Sequence, residues 1–241
     1  MADVFTGLDP RLRRQIRREM PAAIIPVGSL EQHGPHLPVG TDSELVTAIA
    51  GRVGRKIRAL VLPTINYGVS FEHAPFFQVS VRDSTLRRQL VDTCNSLASN
   101  GIKDIFIING HHGNQGAIRR VGSGVSDPEA RIFAFSYWHF MDGSFDHAGF
   151  VETSLMLAVS QNVRMGLAEK GLDEGDLDRT QLARARRLAS KSFPQATKNG
   201  VWGDPRRSTK RDGRRILSEI TENLAKKCQT CLTGQKTKLH Q

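Results

Sequence analysis

The feature that most narrows the fold is a pair of short, almost unbroken apolar runs, Ala22-Ala-Ile-Ile-Pro-Val27 and Ile105-Phe-Ile-Ile108. A strand that is apolar on both sides has to be covered on both sides, which is the situation of a parallel sheet wrapped by helices. Neither run approaches the roughly 18 residues that a membrane span needs. Residues 22–29 therefore read as a buried strand. Residues 59–65, 102–108 and 131–138 read as further strands, and 78–82 as a short one. Between them, helical spacing of apolar residues predicts helices beginning at Asp42, with Thr41 or Asp42 as N-cap, and over 83–100 and 116–125. Helices follow over 152–161, 179–191 and 213–227, and a short basic one is expected over 8–20. Strands and helices in alternation predict a doubly wound α/β layer structure. Strand signals cease after Trp138, and no repeat or linker divides the chain of 241 residues.

Charge enters because the chain carries +10 at neutral pH, with basic clusters at 11–18, 52–58, 179–191 and 206–215. Solvated helix faces and attraction of anions both account for such clusters. Exposed aromatics interleaved with the basic residues are missing, so a small anionic substrate ranks above nucleic acid. Arg82, Arg119 and the 206–215 cluster are the candidate phosphate anchors. No apolar leader opens the chain, which places the expected address in the cytoplasm and not at a membrane. Cys228 and Cys231 form a single CxxC, too few thiols for a zinc ribbon, and Cys94 falls on the apolar side of a helix.

Three clusters carry chemistry, each at the C-terminal end of an expected strand or the start of the next helix, the edge where ligands gather in open α/β sheets. In Glu31-Gln-His33, extended backbone points the two outer side chains the same way, and Asp42 follows at the mouth of a helix. In Asn109-Gly-His111-His112-Gly-Asn114, two histidines between glycines end an aliphatic strand, a pattern that packing does not explain. Neighbouring side chains there point apart, so one histidine is a ligand; His111 is the choice, and His112 lines the pocket or has no role. In Asp146-His147-Ala-Gly-Phe-Val-Glu152, one of His147 and Glu152 can bind metal while the other moves a proton. Loop 67–77, with Glu72, His73 and its phenylalanines, is a further candidate wall of the pocket. Carboxylate mixed with imidazole is the donor set of zinc, iron or manganese hydrolases. The donors exceed what one tetrahedral ion needs, and an aspartate can bridge two cations ~3.5–4 Å apart.

The stretches PVGSLEQHGPHLPVGTD at 26–42, NGHHGN at 109–114, HAGFVETSLML at 147–157 and GVWGDP at 200–205 resemble the creatininase (creatinine amidohydrolase) family. The resemblance implies a three-layer α/β/α sandwich around a mostly parallel sheet, formed by the whole chain as one domain and assembled as a homo-oligomer, commonly a hexamer. It implies two divalent metal ions, one held by Glu31, Asp42 and His111, the other by His33, Glu152 and the shared Asp42. It further implies His147 as the catalytic proton-transfer residue and Trp138 as a residue closing over substrate, with His112 beside it. Creatininase proper has a glutamate where this chain has Gly113. That departure and the basic charge lean the expected substrate toward a phosphorylated heterocycle, such as a formamidopyrimidine ribonucleotide deformylated in flavin or deazaflavin cofactor synthesis. Creatinine, or a peptide-derived cofactor precursor, is the alternative substrate. A relative that binds phosphate or nucleic acid without turnover is the alternative class.

Overall fold

A computed structural model describes residues 18–20 and 22–234. The basic helix expected over 8–20 lies, except for its last residues, outside that range. Strand β1 is Ala22–Val27, β2 Leu60–Val61, β3 Asp104–Asn109 and β4 Arg131–Ser136. They form one parallel sheet in the order β2-β1-β3-β4. Helices α1 (Thr41–Ile57), α2 (Asp83–Ser99) and α3 (Gln115–Arg119) fall between the strands. Helices α4 (Phe150–Val159), α5 (Arg179–Ala189), α6 (Phe193–Thr197) and α7 (Lys210–Thr233) follow the last strand.

Alternation along the central strands explains the layers. Ile24, Phe106 and Ile108 project to one face, where they meet Leu45, Ile49 and Val53 of α1, Leu155 of α4 and Ile220 and Leu224 of α7. Ile25, Ile105 and Ile107 project to the other, against Leu86, Leu90 and Cys94 of α2 and Ile118 of α3. Full burial of each such side chain is worth about 1.5–3 kcal/mol. The result is a parallel sheet covered on both faces, as the doubly apolar strands predict, and it forms the three-layer α/β/α sandwich that the family resemblance implies.

Four local expectations change. The strand expected at 59–65 shrinks to Leu60–Val61, with Ile65 making one bridge to Val27; Pro63 between them has no N–H to donate. The strand at 78–82 reduces to a single antiparallel bridge between Gln78 and Glu31. The helix at 116–125 stops at Arg119, and Gly122–Gly124 continues as a tight turn, since glycine is a poor helix former. Helix α1 is capped by Gly40 without a side-chain bond, so Asp42 stands inside the first turn with its carboxylate free for other contacts.

Candidate metal centre

Strands β1, β3 and β4 end in step: Val27 pairs with Asn109, and Asn109 with Ser136. The loops that leave them therefore emerge along one edge of the sheet. The loop after β1 carries Glu31 and His33, and the turn after β3 carries His111 and His112. Asp42 and Glu152 lie in the first turns of α1 and α4, where a helix N-terminus favours negative charge.

Five of these side chains, Glu31, His33, Asp42, His111 and Glu152, converge although up to 121 positions separate them in the chain. The Nδ1 atom of His111 lies 3.2 Å from Glu31 Oε1 and 3.2 Å from Asp42 Oδ2. The Nε2 atom of His33 lies 3.3 Å from Asp42 Oδ1 and 3.6 Å from Glu152 Oε2. Three overlapping groups have donor atoms within 4.8 Å of one another: Glu31–His33–His147, and the two that meet at one aspartate, Glu31–Asp42–His111 and His33–Asp42–Glu152. Asp42 belongs to the latter two, one oxygen toward each histidine. The outer ring nitrogens face backbone carbonyls: His111 Nε2 is 2.9 Å from the oxygen of Val69, and His33 Nδ1 is 3.0 Å from that of Glu31. A carbonyl only accepts, so each outer nitrogen carries the proton and each inner one keeps its lone pair for the shared space.

Without cations the buried carboxylates favour a second proton on the His33 and His111 rings, which a cation at the inner nitrogens would displace. Glu31 is fully buried, and Asp42 and Glu152 are 2% and 1% exposed. Burial raises the Glu31 pKa above the usual carboxylate range, despite the neighbouring imidazoles. Burial also opposes charge on Asp42, but His33 and His111 reverse it and hold that carboxyl well below its usual value. Both imidazoles are driven upward against burial, His33 by Glu152 and Asp42, His111 by Glu31 and Asp42. Glu31 Oε1, His33 Nε2 and Asp42 Oδ2 are buried without a hydrogen-bond partner. A buried polar atom left unpaired costs about 1–3 kcal/mol. Three such atoms of the right chemistry around one space fit a pair of divalent cations, zinc, iron or manganese by donor type.

Other groups surround this space. His147 Nδ1 is 3.9 Å from Glu31 Oε1, and its Nε2 is 3.2 Å from the carbonyl oxygen of Gln32. Burial, then the charge of His33 and His73, pushes its pKa well below the ordinary imidazole value, so the ring is neutral. Its backbone pairs in both directions with Trp202, which is how the 200–205 stretch reaches the site. Ala148, between His147 and Glu152, holds a left-handed φ of 52° and donates its N–H to Glu152 Oε2 at 2.6 Å. Such a backbone costs about 1–2 kcal/mol in a residue with a Cβ, a strain borne where both side chains are aimed.

Loop 67–77 supplies more than the sequence indicated. His73 is buried with Nε2 3.2 Å from Glu31 Oε1, and burial followed by the charge of His111 pushes its pKa down to about 3. Gln32 Nε2 donates to His73 Nδ1 at 3.0 Å; it also lies 3.1 Å from His147 Nε2, a contact that makes no hydrogen bond while that nitrogen gives its proton to the Gln32 carbonyl. Asn114 fixes the depth of the loop: its Oδ1 accepts from Val69 N, and its Nδ2 donates to Gly28 O, each at 2.9 Å. His112 turns away from the donor groups and stacks on Trp138 with ring centroids 4.2 Å apart. Trp138 itself is 6% exposed and packs behind His112, whereas Trp202 lines the cleft. That cleft holds about 570 Å³ and opens onto Glu31, Asp42, His111 and Glu152. Its far wall is Phe193, stacked on His73 at 4.6 Å and edge-on to His147 at 4.6 Å. The candidate anchors Arg82 and Arg119 are not in its lining. Among the described residues its one cationic Lys or Arg is Arg186, bound by Glu174 at 2.9 Å and 3.0 Å.

Comparison with known proteins agrees with this architecture. A crystal structure of creatinine amidohydrolase (creatininase) superposes with a TM-score of 0.72 at 23% identity, over 94% of this chain and 95% of that one. The mycofactocin precursor peptide peptidase of Mycolicibacterium smegmatis is 32% identical over 227 residues, which is 91% of this chain and 89% of that protein. The creatinine amidohydrolase of Pseudomonas putida is 32% identical over 167 residues, 56% of this chain and 63% of that protein. The family model described as creatininase, creatinine amidohydrolase, matches residues 10–228. With the sheet, its edge and the full-length likeness in agreement, the chain belongs to the creatininase family of amidohydrolases.

Proposed function

We propose that the chain hydrolyses an amide C–N bond with the help of two divalent cations, held by Glu31, Asp42 and His111 and by His33, Asp42 and Glu152. One observation carries the reading: Asp42 turns one oxygen to each of two histidines whose outer nitrogens are already committed to backbone carbonyls. Such cations, when bound, supply Lewis acidity toward a carbonyl oxygen and acidify a water toward neutrality. His147 is the proton carrier of this reading. Its neutral ring keeps Nδ1 open toward the site, where it can take a proton and pass it to the departing nitrogen, which would otherwise leave as a poor amide anion. The Gln32 carbonyl holds that tautomer, and Phe193 and Trp202 narrow the access of water.

The lining changes the substrate reading. A phosphorylated nucleotide needs an uncommitted cation, and among the described residues the cleft offers only Arg186, already engaged by Glu174. The finer proposal therefore moves from the formamidopyrimidine ribonucleotide toward an uncharged or cationic amide. The peptide precursor named for the mycobacterial relative is the first class to test. His112 and Trp138 are carried as a stacked pair that backs the substrate wall. A homo-oligomer is part of the same reading, and a monomer mass by light scattering would remove it.

The test is elemental analysis joined to release assays on a short peptide, creatinine and a formamidopyrimidine nucleotide. Two divalent ions per chain are expected, with peptide turnover lost to a chelator and restored by zinc or manganese. Full activity in metal-free protein would end the reading, and faster formate release would restore the nucleotide.

A further inference from the structure

Six carboxylates line the cleft, and five are already occupied. Glu31, Asp42 and Glu152 face the imidazoles of the centre. Asp146 accepts the backbone N–H groups of Val151 and Glu152 at 2.8 Å and 3.1 Å, closing the N-terminus of α4. Glu174 holds Arg186 by both oxygens and takes the indole N–H of Trp202 at 3.1 Å. Glu72 is the exception. Its side chain is 22% exposed, and among the described residues the ionisable group paired with it is His111 Nε2 at 3.8 Å, whose proton already goes to Val69 O. Among the described residues no donor reaches its carboxylate.

The backbone makes room for this carboxylate. A Cβ on Gly113 would stand 1.9 Å from Val69 O and 2.6 Å from His111 Nε2, so no side chain fits at that position without moving the loop. The same Cβ would lie 3.1 Å from Glu72 Oε1, which places the Glu72 head over the space that Gly113 leaves open. Glu72 belongs to none of the three donor groups of the centre and stands on the outer side of His111. The charges of Glu31, Asp42 and Glu152 are matched by the proposed cations, and that of Glu72 has no cationic Lys or Arg partner among the described residues.

We propose that Glu72 is the specificity-determining residue of the cleft, accepting hydrogen bonds from a cationic N–H group of the substrate: an ammonium, amidinium or guanidinium. The inference rests on the amidohydrolase reading for its substrate but not for its test, which measures binding. A charge-assisted bond to a carboxylate is about twice as strong as a neutral one, and the aromatic faces of Phe145, Phe193 and Trp202 in the same lining favour a cation between them. Selection acts through binding, so Glu72 separates amides that carry a positive group from isosteres that do not.

Benzamidinium and benzamide, nearly equal in shape and different in charge, form the probe pair, titrated calorimetrically into zinc-loaded protein. The wild-type protein should bind benzamidinium at least about tenfold more tightly. In Glu72→Gln the ratio should fall to near one, with the benzamide affinity and the zinc content unchanged. A wild-type protein without preference, a variant that keeps it, or a variant that loses zinc would each overturn the proposal. An amide-release assay on the same samples separates the two readings. Absent turnover with the preference intact removes the hydrolase and leaves Glu72 standing, and turnover without the preference does the reverse.

Discussion

The body of the sheet and its C-terminal edge are equally buried and opposite in kind. Phe106, Ile107 and Ile108 are fully enclosed, and every side-chain atom they bury is apolar. Three residues further on, His111 is 5% exposed, in a shell with Glu31 and Asp42 that contains buried polar atoms without partners. The first region gains free energy from its burial, and the second loses it unless something absent from the polypeptide completes it. Burial alone therefore does not mark a core; the state of the polar atoms distinguishes scaffold from site.

The sharpest way to break that contrast is Asp42→Ala. If the edge exists to hold cations, both donor groups fail together, and amide hydrolysis should fall by on the order of 10³-fold or more, with bound metal lost by elemental analysis. His147→Gln should lower kcat by about 10²- to 10⁴-fold while metal content holds, which separates proton transfer from ion binding. Phe106→Ala tests the scaffold: about 3–5 kcal/mol of stability should vanish in chemical denaturation, with kcat at low temperature little changed. Glu31→Gln sharpens the comparison by its sign. Burial raises the Glu31 pKa in the folded protein, so its ionised form destabilises the metal-free fold above that pKa, and protonation relieves the cost as pH falls. Metal-free Glu31→Gln should accordingly melt at or above the wild-type temperature at neutral pH, and metal-saturated Glu31→Gln below it. The smallest effect belongs to the thiols. Burial pushes Cys94 and Cys228 up to about 12, so both should resist alkylation at pH 8 in the native state and react on unfolding.

What could be seen in the sequence follows from the same contrast. Strands β1 and β3 were legible because their apolarity on both sides admits few architectures, and α2 because Leu86, Leu90, Cys94 and Leu97 repeat at helical spacing. Glu31, His33, Asp42 and His111 stood out because acid and imidazole at strand ends are costly without a purpose, whereas the choice of Glu152 over His147 as a ligand came only from the family resemblance. His73 and Gln32 were harder to see: a loop without periodicity brings His73 against Glu31, and no local pattern announces a contact between segments 42 residues apart. The basic composition pointed to an anionic substrate, yet charge counts do not locate charge. Lys103 pairs with Asp127, Arg131 with Asp104 and Lys56 with Glu222, all away from the cleft. The stretch 200–205 was visible as a motif, but only the pairing of Trp202 with His147 reveals that it brings a second tryptophan to the site.

Asn114 has one further consequence. Its amide spans three pieces of chain, giving from one end to Gly28 and receiving at the other from Val69. An amide has a direction that a carboxylate lacks, so Asn114→Asp would set oxygen against oxygen at Gly28 and detach the rim from the sheet. The floor of the cleft is thus gauged by a single two-ended side chain. Residues along the rim can be exchanged to retune what enters, provided that this ruler keeps its length and polarity.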